Sequence, residues 1–336
     1  MRALITGGAG FIGCNLARYL ADRGHAVRIL DNLARPGSER NLAWLRATIG
    51  PALEVVQADV RDAAAVRAAA AGADAIFHLA AQVAVTTSVA DPVHDFEVNA
   101  RGTLNVLEAA RQHGCAVFYT STNKVYGGLD DVAVVEQATR YAYADRPQGI
   151  DERQPLDFHS PYGCSKGAAD QYVRDYARIY GLRTVVFRMS CIYGPRQFGN
   201  EDQGWVAHFV IAAVLGRPIT IYGDGKQVRD VLHVDDLLRA FELAYTRLDT
   251  TAGQIYNLGG GPANTLAVWA EFGPLLEELL GRRLPVNYGP WRPGDQKVYV
   301  SDVRRAAAFG WQPTIPAHEG IARLLAWVQE HRHLFA

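Results

Sequence analysis

Short apolar runs alternate with longer amphipathic segments between residues 3 and 188. Apolar residues that recur every three or four positions predict helices, whereas the short runs predict buried strands. We predict strands near residues 3–6, 26–30, 53–57, 75–78, 116–121 and 184–188, and helices near residues 11–23, 39–48, 63–71, 95–113 and 161–180. Strands and helices that alternate in this way indicate an α/β fold with a doubly wound parallel sheet.

The regular alternation ends after residue 188. Stretches punctuated by glycine and proline follow, such as Tyr193-Gly194-Pro195 and Gly223-Asp224-Gly225, and they predict a second, smaller α/β lobe. We expect the first domain to comprise residues 1–188 with about 226–258. The second domain would then comprise residues 189–225 and 259–336.

Composition and charge exclude several classes of protein. The chain is 49% hydrophobic and 21% charged with a net charge of −1, so no basic field for nucleic acid is expected. No apolar run is long enough to cross a bilayer, and the first strand follows Met1 directly, so we expect neither a membrane segment nor a signal peptide. The four cysteines show no paired or metal-type spacing, which predicts reduced thiols, no metal site and a cytosolic location.

Three glycines, Gly7, Gly10 and Gly13, join the first predicted strand to the first predicted helix, and Phe11 and Ile12 lie between the last two. The spacing differs from G-x-G-x-x-G, but it occurs where the pyrophosphate of a dinucleotide meets a helix N-terminus in a Rossmann domain. A dinucleotide site is therefore one explanation. A tight strand-to-helix turn without a ligand is the other.

Asp31 ends the second predicted strand, eighteen residues after Gly13. A carboxylate there accepts hydrogen bonds from the ribose hydroxyls and repels a 2′-phosphate, which favours NAD over NADP. Arg35 lies close enough to keep NADP open. Other candidate cofactor contacts follow the second, third and fourth strands, namely Asn32, Asp59, Val60, Leu79, Ala80 and Ala81.

Tyr162 and Lys166 are four residues apart in the predicted helix that has Ser160 as its N-cap and Gly181 beyond its end. Residues at this spacing share one helix face, where an ammonium lowers the pKa of a phenol. Because the chain has four lysines against thirty arginines, such a pair is uncommon by chance. The pair is a candidate catalytic base, and the alternative is a surface pair worth about 0.2–0.5 kcal/mol.

These motifs, together with Thr122 in the stretch Ser121–Gly127, resemble the extended short-chain dehydrogenase/reductases that act on nucleotide sugars. The resemblance covers nearly the whole chain. It implies a Rossmann domain that holds NAD, a smaller C-terminal domain that holds the sugar nucleotide, and catalytic roles for Thr122, Tyr162 and Lys166. It also implies that Arg229 and Arg292 grip the diphosphate, and that the helices near 95–113 and 161–180 pair in a homodimer or homotetramer.

Two departures from the family pattern bear on the reaction. Asn123 and Lys124 stand where the 4,6-dehydratases of this family carry an Asp-Glu pair, so acid–base elimination of water lacks its parts. Cys191 stands where the 4-epimerases and dehydratases commonly carry Asn, and a thiol cannot make the same two-sided amide contact. Dehydration is therefore disfavoured, and a plain 4-epimerase is weakened without being excluded.

Three longer stretches, residues 78–88, 121–127 and 157–172, resemble the subfamily of CDP-paratose 2-epimerases, and residues 196–198 and 202–205 extend the match. The resemblance implies inversion at C2 of a CDP-hexose. Thr86 and Thr87, which we expect on a strand-to-helix loop, and Gln203 are candidate substrate contacts beside Asn123, Lys124 and Cys191.

Inversion at C2 requires transient oxidation, because no carbonyl activates that carbon, and NAD supplies the electron sink. We expect Tyr162 as phenolate to accept the hydroxyl proton, Thr122 to bind the reacting oxygen and Lys166 to hold the nicotinamide ribose. The phenol's pKa must then fall by about 3 units from its usual value of about 10. The alternatives are a UDP-hexose 4-epimerase, a net dehydrogenase that releases NADH, and a non-catalytic NAD-binding sensor.

Overall fold

The computed structural model describes residues 1–292 and 295–335. In this part of the chain the strands are β1 (Arg2–Thr6), β2 (Ala26–Asp31), β3 (Leu53–Gln57), β4 (Ala75–His78), β5 (Ala116–Thr122), β6 (Val134–Glu136), β7 (Tyr141–Tyr143), β8 (Thr184–Met189), β9 (Cys191–Tyr193), β10 (Ile219–Tyr222), β11 (Val228–His233), β12 (Gln254–Leu258), β13 (Thr265–Ala267), β14 (Val286–Gly289) and β15 (Val298–Tyr299).

The α-helices of the described residues are α1 (Phe11–Ala21), α2 (Ser38–Ile49), α3 (Ala63–Ala70), α4 (Val85–Ala90), α5 (Pro92–Phe96), α6 (Gly102–His113), α7 (Ser160–Tyr180), α8 (Trp205–Leu215), α9 (Val234–Thr246), α10 (Leu248–Thr251), α11 (Phe272–Leu280), α12 (Arg304–Ala307) and α13 (Ala317–Glu330). None of them is long and apolar enough to cross a bilayer.

Seven parallel strands form the main sheet in the order β12-β8-β5-β4-β1-β2-β3. Its central strands are buried on both faces, as the continuous apolar runs predict. Helices α1, α2 and α9 cover one face, and α3, α6 and α7 cover the other. The predicted doubly wound α/β fold is confirmed.

The second lobe contains two smaller sheets. β11 pairs with β9 and β15 in parallel and with β13 antiparallel, and β10 pairs with β14. Its core lies among α8, α11 and α13. Residues 226–258, expected in the first domain, are divided: β12 and α9 belong to the main sheet and its core, whereas β11 belongs to the smaller sheet.

Residues 127–159 leave the end of β5 and run along the second lobe before the chain returns in α7. The backbone of Ile150 exchanges hydrogen bonds with Val300 and Asp302, at 2.8 and 2.9 Å. Its carbonyl also accepts from the Asn257 side chain, at the end of the main sheet, at 2.8 Å. This bridging segment therefore ties the two lobes together.

Two predicted elements differ in the structure. The helix expected over residues 95–113 begins earlier, at Pro92 with Asp91 as its cap, and a π turn at Glu97–Arg101 interrupts it. Thr86 and Thr87, expected on a loop, lie in α4, because this segment closes one helical turn in front of Asp91. Helix α7 begins at Ser160, whose hydroxyl accepts from the Gly163 N–H at 3.2 Å.

Candidate functional site

A cavity of about 1740 Å³ opens at the carboxyl ends of the main-sheet strands and extends to the second lobe. This is where parallel α/β sheets usually bind ligands. The cavity is lined by every site residue predicted from the sequence: Gly7, Gly10, Phe11, Ile12, Gly13, Asp31, Asn32, Asp59, Val60, Leu79, Ala80, Ala81, Thr86, Thr87, Thr122, Asn123, Lys124, Tyr162, Lys166, Cys191, Gln203, Arg229 and Arg292.

The glycine turn is shaped by close backbone contacts. A Cβ at Gly13 would lie 2.1 Å from the Gly7 carbonyl oxygen, and one at Gly7 would lie 2.7 Å from the Ala80 nitrogen. Gly10 precedes α1 and provides no side-chain cap, and the first turn carries no acid. The first N–H groups of α1 therefore face the cavity as an anion site, which fits the pyrophosphate of a dinucleotide.

Asp31 ends β2 as expected. One carboxylate oxygen accepts from the Ala9 N–H at 2.9 Å and the other from the Leu33 N–H at 2.8 Å, which fixes the group at the cavity wall. Asn32 donates to Asp59 at 2.8 Å, and hydrogen bonds from Arg61 lower the pKa of Asp59 to about 2. With the carboxylates of Asp31 and Asp59, this end of the cavity suits ribose hydroxyls better than a 2′-phosphate.

Arg35 is the residue that left NADP as an alternative cofactor in the sequence. Its guanidinium does not face Asp31 alone. Its guanidinium donates to the Gln203 amide oxygen, which belongs to the second lobe. The loop that follows Arg35 packs against the same lobe. Gly37 lies so close to the Phe198 ring that an added Cβ would be 2.2 Å from it. Arg35 therefore bridges the cavity between the two lobes.

Tyr162 and Lys166 lie on one face of α7, and both are buried. The Lys166 ammonium donates to the Thr120 carbonyl at 2.7 Å, and burial lowers its pKa to about 7, against the charges of Asp170 and Asp95. Burial raises the pKa of Tyr162 to about 12, while a hydrogen bond with Thr122 and the charge of Arg35 lower it. The surrounding side chains by themselves thus leave the phenol protonated at neutral pH.

Sequence reasoning missed a buried polar cluster that supports α7. Asn99, in the π turn, donates to the Gln82 carbonyl at 3.0 Å and to the Ser165 hydroxyl at 3.1 Å. Ser165 in turn donates to Asp95, and burial raises the pKa of that carboxyl. The only signal in the sequence was the spacing of four between Asp95 and Asn99, which is too common to single them out.

Lys124 follows Thr122 on the 3₁₀ turn Asn123–Tyr126, and its N–H donates to the Thr122 hydroxyl at 3.2 Å. Its ammonium donates to the Gln296 amide oxygen at 3.2 Å. Burial, followed by the charge of Arg229, lowers the pKa of Lys124 to about 8. The turn Asn123–Tyr126 thus carries an amide and a cation but no carboxylate.

The two arginines expected to hold a diphosphate already have acidic neighbours. Arg229 pairs with Asp295 at 2.7 Å, and Arg292 lies 3.6 Å from Glu201 and 3.8 Å from Asp202. The Cys191 sulfur accepts from the Trp205 indole at 3.4 Å. Among residues 1–292 and 295–335, no cluster of His, Cys, Asp and Glu side chains could hold a metal ion.

Comparison with known proteins agrees with this geometry. Residues 3–259 match the model of the NAD dependent epimerase/dehydratase family. The chain is 45% identical to the CDP-paratose 2-epimerase of Salmonella typhi, over 97% of this chain and 99% of that one. A dTDP-glucose 4,6-dehydratase double mutant from Streptomyces venezuelae, solved with NAD and DAU bound, superposes with a TM-score of 0.85 at 33% identity, over 99% of this chain and 98% of that one.

A UDP-glucose 4-epimerase from Thermus thermophilus, solved in complex with NAD, has a TM-score of 0.81 at 33% identity, and the match covers 98% of this chain and 100% of that one. The resemblance drawn from the sequence is confirmed, and so is NAD as the cofactor. By its glycine turn, its Thr-Tyr-Lys set and this family match, the chain belongs to the NAD dependent epimerase/dehydratase family.

Proposed function

We propose that the protein inverts C2 of a CDP-linked hexose by transient oxidation and reduction, as in the conversion of CDP-paratose to CDP-tyvelose. One observation carries the proposal: Thr122, Tyr162 and Lys166 line one cavity, while Asn123 and Lys124 occupy the positions at which a dehydratase would carry its acid pair. The 45% identity to a CDP-paratose 2-epimerase supports the choice of carbon and nucleotide.

The residues that would hold the cofactor are the glycine turn, Asp31 with Asn32 at the adenosine end, and Lys166 at the nicotinamide ribose. NAD, when bound, supplies a hydride acceptor for C2 and a positive ring that lowers the pKa of the phenol. Tyr162, as phenolate, accepts the proton of the C2 hydroxyl and later returns it to the same oxygen. Thr122 holds that oxygen by a hydrogen bond.

Between the two proton transfers the keto sugar must present the other face of its trigonal C2. The cavity is large enough for a sugar nucleotide beside a dinucleotide, and it extends over both lobes. No residue of the Asn123–Tyr126 turn supplies a carboxylate, so loss of water from the keto sugar is not assisted.

The proposal is tested by incubating the protein with CDP-paratose and following the sugar by proton NMR. A new H1–H2 coupling, without consumption of added NADH, is the expected result. A change at H4 instead would identify a 4-epimerase, and steady turnover of NADH would identify a net dehydrogenase. An unchanged spectrum with every sugar nucleotide of a CDP, UDP and GDP panel would favour the non-catalytic sensor.

Tyr162→Phe should lower kcat by about 10²- to 10⁴-fold, which is the usual contribution of a positioned acid–base group. The variant should retain its bound cofactor, because the glycine turn and Asp31 are unaffected. Tyr172→Phe, at an exposed tyrosine on the same helix, is the matched control and should be as active as the parent. Activity of Tyr162→Phe within about two-fold of the parent would remove Tyr162 from the mechanism.

We further propose a homodimer or homotetramer that functions in the cytosol. The exposed side chains of α5 and α7 include Val93 at 72%, Phe96 at 53% and Ile179 at 66%. Apolar groups that are this exposed on neighbouring helices support a subunit interface. All four cysteines are free thiols, which supports a reducing compartment.

A further inference from the structure

The carboxylate of Asp95 is fully buried where α5 packs against α7. One of its oxygens accepts from the Gln82 amide at 2.9 Å and from the Asn99 amide at 3.1 Å, and the other accepts from the Ser165 hydroxyl. All three donors are neutral, and within residues 1–292 and 295–335 no Lys, Arg or His nitrogen lies within 4.0 Å of the carboxylate. Asp95 is therefore a buried acid that no cation neutralises by direct contact.

Lys166 is a buried cation in a similar position. Its ammonium donates to the Thr120 carbonyl at 2.7 Å and lies 4.3 Å from the centre of the Tyr119 ring, and both of these partners are neutral. In the described part of the chain no carboxylate oxygen lies within 4.0 Å of this ammonium. Asp95 and Lys166 nevertheless act on each other through the protein interior, where charges are weakly screened.

Two carboxylates, Asp170 and Asp95, favour the charged form of Lys166. Asp170 already accepts from two nitrogens of the Arg188 guanidinium, both at 2.9 Å, so an adjacent positive charge balances its own. Asp95 has only neutral donors. Of the two acids, Asp95 is therefore the one whose negative charge is left to act on Lys166.

The other titratable groups around the pair do not replace this charge. Burial lowers the pKa of His78 in β4 to about 3, and it raises the pKa of Tyr119 in β5 well above its usual value. Tyr162 is likewise kept protonated by burial. His94, in α5, adds positive charge beside Asp95 when it is protonated. None of these groups supplies a negative charge to Lys166 at neutral pH.

We propose that Asp95 is a positioning residue of the active site, whose carboxylate is the counter-charge that keeps the Lys166 side chain an ammonium. The inference rests on the proposed function and deepens it, because the ammonium is the form that would assist the Tyr162 phenolate and hold the ribose. Burial alone lowers the pKa of Lys166 to about 7, and Asp95 opposes that effect. The hydrogen bonds from Gln82 and Ser165 hold Asp95 in its ionised form, against the raising of its pKa by burial.

NMR of lysine side chains measures the charge of Lys166 directly, since the chain has only four lysines. The whole protein, labelled with ¹³C at the lysine ε-carbon, is titrated with pH, and the signal that is lost in Lys166→Met belongs to Lys166. Asp95→Asn removes the charge and keeps the shape of the side chain. The pKa of Lys166 should then fall by about 1 pH unit, as expected when an opposite charge is removed from a nearby site.

Two further variants separate the charge of Asp95 from other effects. Glu97→Gln removes a carboxylate two residues further along, which pairs with Arg101 at the surface at 3.8 Å, and should leave the pKa of Lys166 unchanged. Ser165→Ala removes a hydrogen bond to Asp95 and retains its charge, so its effect should be less than half that of Asp95→Asn. Asp95→Ser, which also removes the charge, gives the same expectation as Asp95→Asn where the latter does not fold.

The pH profile of kcat is a second readout. Loss of the Lys166 proton should determine its alkaline limb, so Asp95→Asn should move that limb to lower pH by the same interval as in the NMR titration. A merely structural defect would lower kcat at every pH without moving the limb.

Three outcomes would overturn the inference. An unchanged pKa of Lys166 in Asp95→Asn would show that the carboxylate does not act on it. An equal fall in Glu97→Gln would assign the effect to the general field of the protein, and an equal fall in Ser165→Ala would assign it to packing. Failure of the proposed C2 inversion is seen separately, as absence of turnover of CDP-paratose by the parent, because the lysine titration requires no substrate.

Discussion

At the scale of single residues, burial has opposite effects on the two members of the Tyr-Lys pair. It raises the pKa of Tyr162 to about 12 and lowers that of Lys166 to about 7. Both shifts favour the neutral form, because a charge is costly in a poorly hydrated site. The spacing in the sequence predicted which residues meet. It also predicted that the Lys166 ammonium would lower the pKa of the phenol, whereas burial raises that pKa and outweighs the lowering by Thr122 and Arg35.

His78 provides a test of burial through pH. Its ring nitrogens lie 2.7 Å from the Thr6 hydroxyl and 3.0 Å from the Thr103 hydroxyl, and burial followed by the charge of Lys166 lowers its pKa from 6.5 to about 3. Between these values the unfolded chain binds a proton that the folded protein does not. The free energy of unfolding should therefore fall as the pH decreases below 6.5, by at most about 1.4 kcal/mol per pH unit.

Urea denaturation between pH 7.5 and 4.5 measures this slope. The variant His78→Gln cannot take up the proton, so its slope should be smaller than that of the parent, although its stability at neutral pH is reduced. Equal slopes in the two proteins would show that His78 is not kept neutral in the folded state.

At the scale of elements, the strands and the long helices could be predicted because burial on one or two faces determines their pattern. The π turn at Glu97–Arg101 could not, since it depends on the Asn99 side chain meeting Gln82 and Ser165, which are distant in sequence. The pairing of β11 with β9 was missed for a similar reason: its buried run would suit either sheet.

The close contacts of the glycine turn lead to a prediction about cofactor binding. Gly13→Ala places a Cβ 2.1 Å from the Gly7 carbonyl oxygen, so the turn must shift and the protein should lose its bound NAD. Gly163→Ala is the control, because the nearest atom to its added Cβ is 3.6 Å away. The absorbance of nicotinamide and adenine in the purified variants measures the effect, and full occupancy in Gly13→Ala would contradict it.

The polar contact between α7 and the main sheet leads to a prediction about stability. Arg188 and Asp170 form a buried ion pair at 2.9 Å, and Asp170 also accepts from the Ser121 hydroxyl at 2.7 Å. Asp170→Ala leaves the guanidinium buried and unpaired, so the free energy of unfolding should fall by about 3–5 kcal/mol. Asp22→Ala breaks the exposed pair with Arg18 and should cost about 0.2–1 kcal/mol. Chemical denaturation of both variants compares the two losses, and similar values would refute the contrast.

At the scale of the whole molecule, the proposed subunit contact can be disrupted without touching the cavity. Ile179 is 66% exposed near the end of α7, and Ile179→Glu would place a charge in the contact. Light scattering should then give the mass of a single 36.8 kDa chain where the parent has a multiple of it. Val134→Glu, at an exposed residue of β6, should leave the parent's mass unchanged. A parent that is already monomeric would refute the proposal.

The bridging segment 127–159 has a consequence for the size of acceptable substrates. Ile150 is hydrogen-bonded to both lobes, so the cavity walls are held at a set distance and the two lobes do not move apart independently. A hexose must then turn over within the clearance that already exists. A sugar with a bulky branch could enter in one orientation and be oxidised, yet its branch would strike the wall during the turn. Substrates are thus selected by the volume that the ring sweeps out during the turn, and not only by the contacts that it makes at rest.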